Sequence, residues 1–250
     1  MNRTIKIVVA ATVFVLATFS SAFADEDAQE IIREVERRQS TETSKAELSM
    51  LVYPDAGDSG NVREFKVISY GRGEEDSYMQ FIEPRSIKGL SILSRGGDQW
   101  VYFSSTGRVR KIAGKSKKQS VRGVGGDFSY EDLSGGNWEE RYDFRISSSD
   151  SKQWVLEGTP KERDSVYSRV LISIDRQRYL ATKIEYYTEE EGHYKDLEMS
   201  EIKEMGGREV PTRMVMKNYD KNSVTVIITH AMQHDVPIDD KYFNPTRFYK

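Results

Sequence analysis

Apolar and polar positions alternate with a period of two through most of the chain, which is the pattern of strands with one buried face. Gly, Pro, Asn and Asp residues separate these runs at short intervals and provide the turns. Regular short strands with tight turns predict a mainly β protein with few helices, an antiparallel meander of about eleven strands that forms a barrel or strongly curved sheet. The alternation is clear over residues 46–52, 138–146, 166–174, 180–186, 210–216 and 224–228.

The spacing of apolar residues changes to that of a helix after residue 25, with charged residues on the other faces. Asp25 and Asp27 lie where a helix N-terminus favours a capping or acidic side chain. The pattern therefore predicts one amphipathic helix over residues 26–39, whose apolar face consists of Ala28, Ile31, Ile32 and Val35.

Residues 113–137 interrupt the meander with a long stretch rich in Gly and Lys. A loop of this length inside a compact β protein is usually a lid or a binding loop. Asp127 precedes three apolar residues that can share the inner side of one helical turn, with Asp127 as its cap. The sequence predicts a short helical lid carrying Phe128, Tyr130 and Leu133.

The first 24 residues have the organisation of a bacterial signal peptide. Arg3 and Lys6 precede an apolar run over residues 7–19, and Ala22-Phe23-Ala24 is a small-x-small cleavage site. The run is shorter than the roughly 20 apolar residues that span a bilayer, so an uncleaved anchor is the weaker alternative. We expect cleavage after Ala24, release into the periplasm, and a single domain over residues 25–250.

Composition narrows the possible functions. The formal net charge of −3 becomes about −5 when the two cations of the signal peptide are removed, which argues against nucleic acid as a partner. The chain has no cysteine, so the fold holds no disulfide and no thiolate metal site. Its 14 Tyr, 10 Phe and 3 Trp supply large apolar side chains for a core.

Patterns of enzymatic chemistry are weak. Ser59 lies in a Gly-Asp-Ser-Gly turn without the strand-to-helix elbow of a serine nucleophile, and no crossover unit follows the glycines of residues 123–126. His230 and His234 are four residues apart, and Asp235 or Asp239 could complete a zinc site. The pair ends a β-patterned run, so surface or edge histidines are the favoured interpretation, as for His193. We expect no enzymatic activity, no metal and no cofactor.

The strongest local charge is a basic cluster around residue 112. Two interpretations stay open: a solvated loop, or a surface that contacts anionic headgroups or a membrane. The cluster consists of Arg108, Arg110, Lys111, Lys115, Lys117 and Lys118.

Five sequence pieces within residues 79–133 carry a resemblance to a known family. They occur in the order Phe81-Ile82-Glu83-Pro84, Lys88-Gly89-Leu90, Asp98-Gln99-Trp100-Val101-Tyr102, Gly107-Arg108-Val109-Arg110-Lys111-Ile112 and Gly126-Asp127-Phe128-Ser129-Tyr130-Glu131-Asp132-Leu133. With these pieces the chain resembles the outer-membrane lipoprotein-sorting family, the LolA-like periplasmic proteins associated with RND-type exporters. Phe103-Ser104-Ser105 departs from the pattern, because many relatives have a proline soon after the tyrosine.

The resemblance implies an incomplete antiparallel β-barrel with helices across its open mouth. It also implies a periplasmic carrier or chaperone whose apolar cavity holds a lipoprotein acyl chain or a phospholipid, for lipoprotein sorting or lipid transport. The alternative is an accessory subunit of an inner-membrane RND-type exporter that binds protein rather than lipid. A hydrolase in the lid region is disfavoured, because no nucleophile–base pair is evident.

The resemblance also supplies candidate site residues. Arg108, Arg110, Asp127 and Asp132 match the family motif, and we expect them to contact a headgroup or a partner, or to form ion pairs of the lid. For each apolar candidate, an ordinary core position is the alternative. The candidates for the cavity wall are Met79, Phe81, Leu90, Ile92, Trp100 and Tyr102, and those for the lid are Phe128, Tyr130 and Leu133.

Overall fold

The structure, a computed structural model, describes residues 27–58, 60–134, 137–163 and 165–250. The predicted signal peptide, its cleavage site and Ser59 lie outside these residues. Among the helices of the described ranges, none combines the length and the apolar character needed to cross a membrane.

Strands account for most of the described chain, as the alternation predicts. They are β1 (Thr43–Tyr53), β2 (Arg63–Arg72), β3 (Asp76–Glu83), β4 (Ser91–Arg95), β5 (Asp98–Phe103), β6 (Arg108–Ile112), β7 (Tyr142–Ser149), β8 (Gln153–Pro160), β9 (Arg169–Asp175), β10 (Leu180–Thr188), β11 (Gly192–Met205), β12 (Arg208–Asn218) and β13 (Ser223–His234).

All of these strands form one antiparallel sheet in the order β6-β5-β4-β3-β2-β1-β13-β12-β11-β10-β9-β8-β7. Strands that are consecutive in the chain are neighbours in the sheet, apart from β6 and β7, and β13 returns to pair with β1 in the middle. The first and last strands of the sheet, β6 and β7, do not pair with each other. The predicted fold, a mainly β incomplete barrel, is confirmed.

The prediction of about eleven strands is too low, because the described residues form thirteen. β4 is buried at four successive positions and β6 is exposed at four successive positions. Neither strand has one exposed and one buried face, so neither shows the alternation of polar and apolar residues by which strands are recognised in a sequence.

Helix α1 (Ala28–Gln39) confirms the predicted amphipathic helix. The Asp27 carboxylate accepts a hydrogen bond from the Gln29 amide at 2.9 Å and caps the N-terminus. A second helix, α2 (Trp138–Arg141), precedes β7, so Trp138 does not belong to the strand that its apolar spacing indicates. The buried residues of α1 are the four on the predicted apolar face, Ala28, Ile31, Ile32 and Val35.

The sheet buries apolar side chains on both faces. On the inner face, defined here as the one covered by α1 and by residues 113–134, lies the larger core. The outer face packs against the C-terminal segment through Phe243 and Phe248, which contact the cluster of Tyr78 and Leu93. Successive side chains of a strand point to opposite faces, so Tyr78 belongs to the outer core and its neighbour Met79 to the inner one.

Candidate functional site

Residues 113–134, called the lid segment below, leave the end of β6 and return over the inner face. They contain a short 3₁₀ helix (Gly114–Lys118), a series of turns and an isolated bridge between Ser120 and Ser129. The short helix of the lid lies at residues 114–118 instead of the predicted place, because residues 127–133 form a bend, the bridge at Ser129 and turns at residues 130–133. Asp127 points into the sheet instead of capping a helix, while Asp132 accepts hydrogen bonds from the Ser129 amide and hydroxyl, at 2.7 and 2.8 Å.

The lid segment keeps its backbone–backbone hydrogen bonds to itself in the described residues. The amides of Tyr130 and Glu131, for example, donate to the carbonyls of Gln119 and Lys117, each at 3.0 Å. Attachment to the sheet instead depends on side chains, such as the Gln99 amide that donates to the Tyr130 carbonyl at 3.0 Å. Among the described residues, no backbone–backbone hydrogen bond therefore joins the lid to a strand of the sheet.

Apolar side chains of the lid fill the inner face. Val121, Val124, Phe128 and Tyr130 are buried in the same core as the strand residues, and Leu133 packs partly buried against it. The space in which the sequence predicts an apolar cavity is thus occupied in this structure by the lid itself.

Four of the six predicted wall residues face this lid. Phe81, Leu90 and Ile92 are buried in the inner core, and Met79 packs against it. Trp100 and Tyr102 are misplaced by the prediction, since they lie with the outer core. Tyr102 stacks on Tyr249 with ring centroids 4.7 Å apart, and the inner position between Trp100 and Tyr102 belongs to Val101.

An ion pair between Asp132 of the lid and Lys195 of β11 is buried under the lid. The two side chains are 2% and 1% exposed, with 2.6 Å between Lys195 Nζ and Asp132 Oδ2. Tyr167 donates its hydroxyl hydrogen to Asp132 Oδ1 at 2.5 Å, so both carboxylate oxygens are satisfied. A carboxylate without such partners would be expensive to bury, which makes this cluster dependent on all its members.

Aromatic rings surround the ammonium group of Lys195. It donates to the Asp127 carbonyl at 3.1 Å and lies between 5.3 and 5.6 Å from the ring centroids of Tyr167, Tyr186 and Tyr194. Such cation–π contacts favour a desolvated cation. Burial raises the pKa of Tyr167 and Tyr186 well above the ordinary value, and the charge of Asp132 raises it further. Both tyrosines therefore stay protonated, and Tyr167 stays a donor.

Asp127 forms a second attachment of the lid, to β13. Its carboxylate accepts hydrogen bonds from the hydroxyls of Ser223 and Thr225, the latter at 2.8 Å. The Asp127 amide donates to Thr225 Oγ1 at 3.0 Å, and the side chain is 3% exposed. Gly126 makes this approach possible, because its φ is +79° and a Cβ there would lie 2.9 Å from Thr225 Oγ1.

The four charged motif residues separate into two groups. Asp127 and Asp132 are anchors of the lid with buried side chains, rather than exposed contacts for a headgroup or a partner. Asp132 forms the expected ion pair of the lid, whereas the Asp127 carboxylate accepts only from hydroxyls among the described residues. Arg108 and Arg110 are exposed on β6. Sequence reasoning missed Lys195, although the period of two from buried Leu197 places Lys195 on the same face of β11.

A cleft of about 600 Å³ lies beside the lid. It is lined by Ile112 at the end of β6 and by Tyr142 at the start of β7, so the sheet curves until its two edges face one another across it. Its charged lining includes Asp98, Lys117 and Glu131, in contrast to the apolar cavity that the sequence predicts.

The histidines do not assemble the zinc site considered above. His230 shares a hydrogen bond with Ser49 at 2.8 Å, and the carboxylates of Asp235 and Asp239 accept backbone amides elsewhere. His193 lies close to Glu185 and Asp196, a possible set of metal ligands. Lys183 already pairs with both carboxylates at 2.9 Å, so a metal would have to displace its ammonium.

The fold and the covered inner face define the class of protein. It is an antiparallel half-barrel whose edge strands do not pair, with a helix and the lid segment packed over its inner face. The model of a family described as "uncharacterized protein"-like matches residues 73–250, well over half of the chain, and the chain belongs to that family. The predicted likeness to the LolA-like proteins is confirmed at the level of the fold. A search of curated proteins finds no match to the sequence.

Three solved structures share the fold over nearly the whole chain. A putative outer membrane lipoprotein-sorting protein domain from Vibrio parahaemolyticus is 24% identical with a TM-score of 0.78, covering 89% of this chain and 98% of its own. A DUF1329 family protein from Desulfovibrio piger is 24% identical with a TM-score of 0.77, covering 87% and 95%. A LolA superfamily protein from Nitrosomonas europaea is 22% identical with a TM-score of 0.71, covering 87% and 97%.

Proposed function

We propose that the protein is an exported carrier that binds the acyl chain of a lipoprotein or phospholipid on the inner face of its sheet. The observation that carries the proposal is the construction of the lid: its apolar side chains fill the inner face, yet no backbone–backbone hydrogen bond between described residues attaches the segment to the strands. A ligand that replaces those apolar contacts takes the place of the lid without disturbing the sheet.

The apolar contributions to this exchange are similar in size. Exposing four buried lid side chains costs on the order of 6–12 kcal/mol, while an acyl chain with about 14 buried CH₂ groups gains about 11 kcal/mol. In the bound state, Met79, Phe81, Leu90 and Ile92 contact the chain. Phe128, Tyr130 and Leu133 move away from the positions they hold here.

The similar solved structures also support a carrier function. The Vibrio parahaemolyticus structure is described as a putative outer membrane lipoprotein-sorting protein domain, and the predicted signal peptide suits a periplasmic location. We propose that the mature protein begins after Ala24 and binds its cargo without chemical conversion. N-terminal sequencing of the exported protein tests the cleavage site.

Native mass spectrometry of the mature protein, purified from the periplasm, tests the carrier function. The expected result is a discrete mass increment that extracts into organic solvent as phospholipid or acylated peptide. A bare protein that also takes up no added phospholipid would overturn the proposal. The accessory role in an RND-type exporter would then be the remaining candidate, with protein rather than lipid as the ligand.

A further inference from the structure

The two edge strands of the sheet, β7 and β6, differ in whether other residues bond to their outer backbone groups. Gln29 of α1 lies against the outer edge of β7, where its side-chain amide donates to the Tyr142 carbonyl at 3.3 Å and accepts from the Phe144 amide at 3.1 Å. This side chain takes the hydrogen bonds that another strand would make. The β7 edge is thus closed to strand addition at these positions.

The β6 edge has no such cover within the described residues. β6 pairs with β5 on one side, and no described group bonds the backbone of residues 108–112 on the other. The lid leaves at residue 113 and packs over the inner face. Residues 108–111 are exposed, including Val109 at 37%. A row of unpaired amides and carbonyls is a template for an extended peptide.

The charge on this edge decides which peptide fits. Arg108 and Arg110 point to one side of β6 and Lys111 to the other, and Lys115 and Lys118 follow in the 3₁₀ helix. Among described residues, Lys111 pairs with Asp98 at 2.7 Å, whereas Arg108 and Arg110 form no ion pair. A second copy of β6 would place like charges opposite each other, which disfavours pairing between copies.

We propose that β6 is a docking edge for an extended acidic segment of a partner protein, which adds a strand to the sheet and pairs its carboxylates with Arg108 and Arg110. This goes beyond the carrier function, because it holds whether or not the inner face takes a lipid. A membrane surface would use the cations alone and leave the open backbone groups of β6 without a role, so the geometry favours the peptide.

A labelled peptide in which Glu alternates with Val is the probe, added to the mature protein and followed by fluorescence anisotropy. The matched control has the same residues with every peptide nitrogen methylated, which keeps the charge but removes the donors of a β-ladder. The expected result is saturable binding of the first peptide, much weaker binding of the second, and slower hydrogen exchange in residues 108–112. Equal binding of both peptides would overturn strand addition.

Variants separate this edge from charge elsewhere. Arg108→Glu and Arg110→Glu together should weaken peptide binding roughly tenfold or more, because they place like charges opposite the peptide. Lys203→Glu is the control, an exposed charge reversal on β11, which is separated from β6 by seven strands of the sheet. Equal weakening by Lys203→Glu would contradict the proposal. So would binding to vesicles of phosphatidylglycerol and phosphatidylcholine that depends on both arginines while the peptide does not bind.

Discussion

Lys195 and Asp132 form a buried ion pair across the boundary between the sheet and the lid. Their charged atoms lie 2.6 Å apart, with side chains 1% and 2% exposed. Lys217 and Glu198 form a pair of nearly equal length, 2.7 Å, but with side chains 42% and 45% exposed. The two pairs have similar distances between their charged atoms but differ in exposure to solvent. The Lys217 pair therefore serves as a control for the effect of burial on the Lys195 pair.

Lys195→Met should lower the free energy of unfolding by about 3–5 kcal/mol, because Asp132 is left charged and buried without its cation. Lys217→Met should change it by less than about 1 kcal/mol, since water screens the exposed partner. Urea denaturation followed by circular dichroism measures both values. Similar losses in the two variants would show that the Lys195 pair does not behave as a buried one.

Gly126→Ala should loosen the lid over β13. The added Cβ would meet Thr225 Oγ1 at 2.9 Å and Val52 Cγ2 at 3.1 Å, so the segment must move outward. Gly207→Ala is the matched control, because Gly207 has nearly the same φ, +81° against +79°, and no neighbour within 4 Å of the Cβ position. Hydrogen exchange of the lid segment should rise for Gly126→Ala alone. A rise in both variants would point to backbone strain in general.

Glu36 should make stability fall as the pH rises. The pKa of its carboxyl is raised to about 7, chiefly by burial and also by the charges of Glu74 and Glu139, while hydrogen bonds from the backbone amides of Trp138 and Glu139 oppose the shift. Because the folded state binds the proton more tightly than the unfolded state, this group weakens the fold between about pH 4.5 and 7.

Glu36→Gln keeps the acceptor for the Trp138 amide and removes the charge. The stability of this variant relative to the wild-type protein should therefore grow between about pH 4.5 and 7 and level off above that range. Burial lowers the pKa of His234, which makes stability rise with pH below the ordinary histidine range and acts in the opposite direction. Since His234 is common to both proteins, the comparison isolates Glu36. A difference that does not vary with pH would refute the expectation.

Acyl-chain length should decide whether the lid is displaced. A chain with about 6 CH₂ groups gains about 5 kcal/mol, less than exposure of the lid side chains costs, whereas about 14 CH₂ groups gain about 11 kcal/mol. Fluorescent fatty acids of octanoyl and palmitoyl length, titrated into the mature protein, should show binding of the longer one alone. Equal affinity for both would indicate a site on the surface and leave the lid in place.

Local periodicity was sufficient to predict α1 and most strands. Ala28, Ile31, Ile32 and Val35 repeat at the helical period, and all four are buried. The strands with one buried face were recognisable for the same reason. β4 and β6 were not, because burial on both sides or exposure on both sides leaves no alternation to read.

The candidate site could be predicted only in part. Phe81 and Ile92 belong to the inner face, whereas Trp100 and Tyr102 belong to the outer one. A period of two shows that Trp100 and Val101 point to opposite faces without showing which face is the inner one. That choice depends on which strands lie next to β5 and what covers them.

The sequence by itself determined the elements, because helix and strand patterns arise from residues close together in the chain: an amphipathic N-terminal helix, a meander of strands and a long polar interruption after β6. Only the tertiary structure decided which residues of the sheet attach this lid segment. Lys195 lies 63 residues from Asp132, and Thr225 lies 98 residues from Asp127. Charges and hydroxyls so far apart become partners only when the sheet has formed and burial has removed the water that would otherwise solvate them.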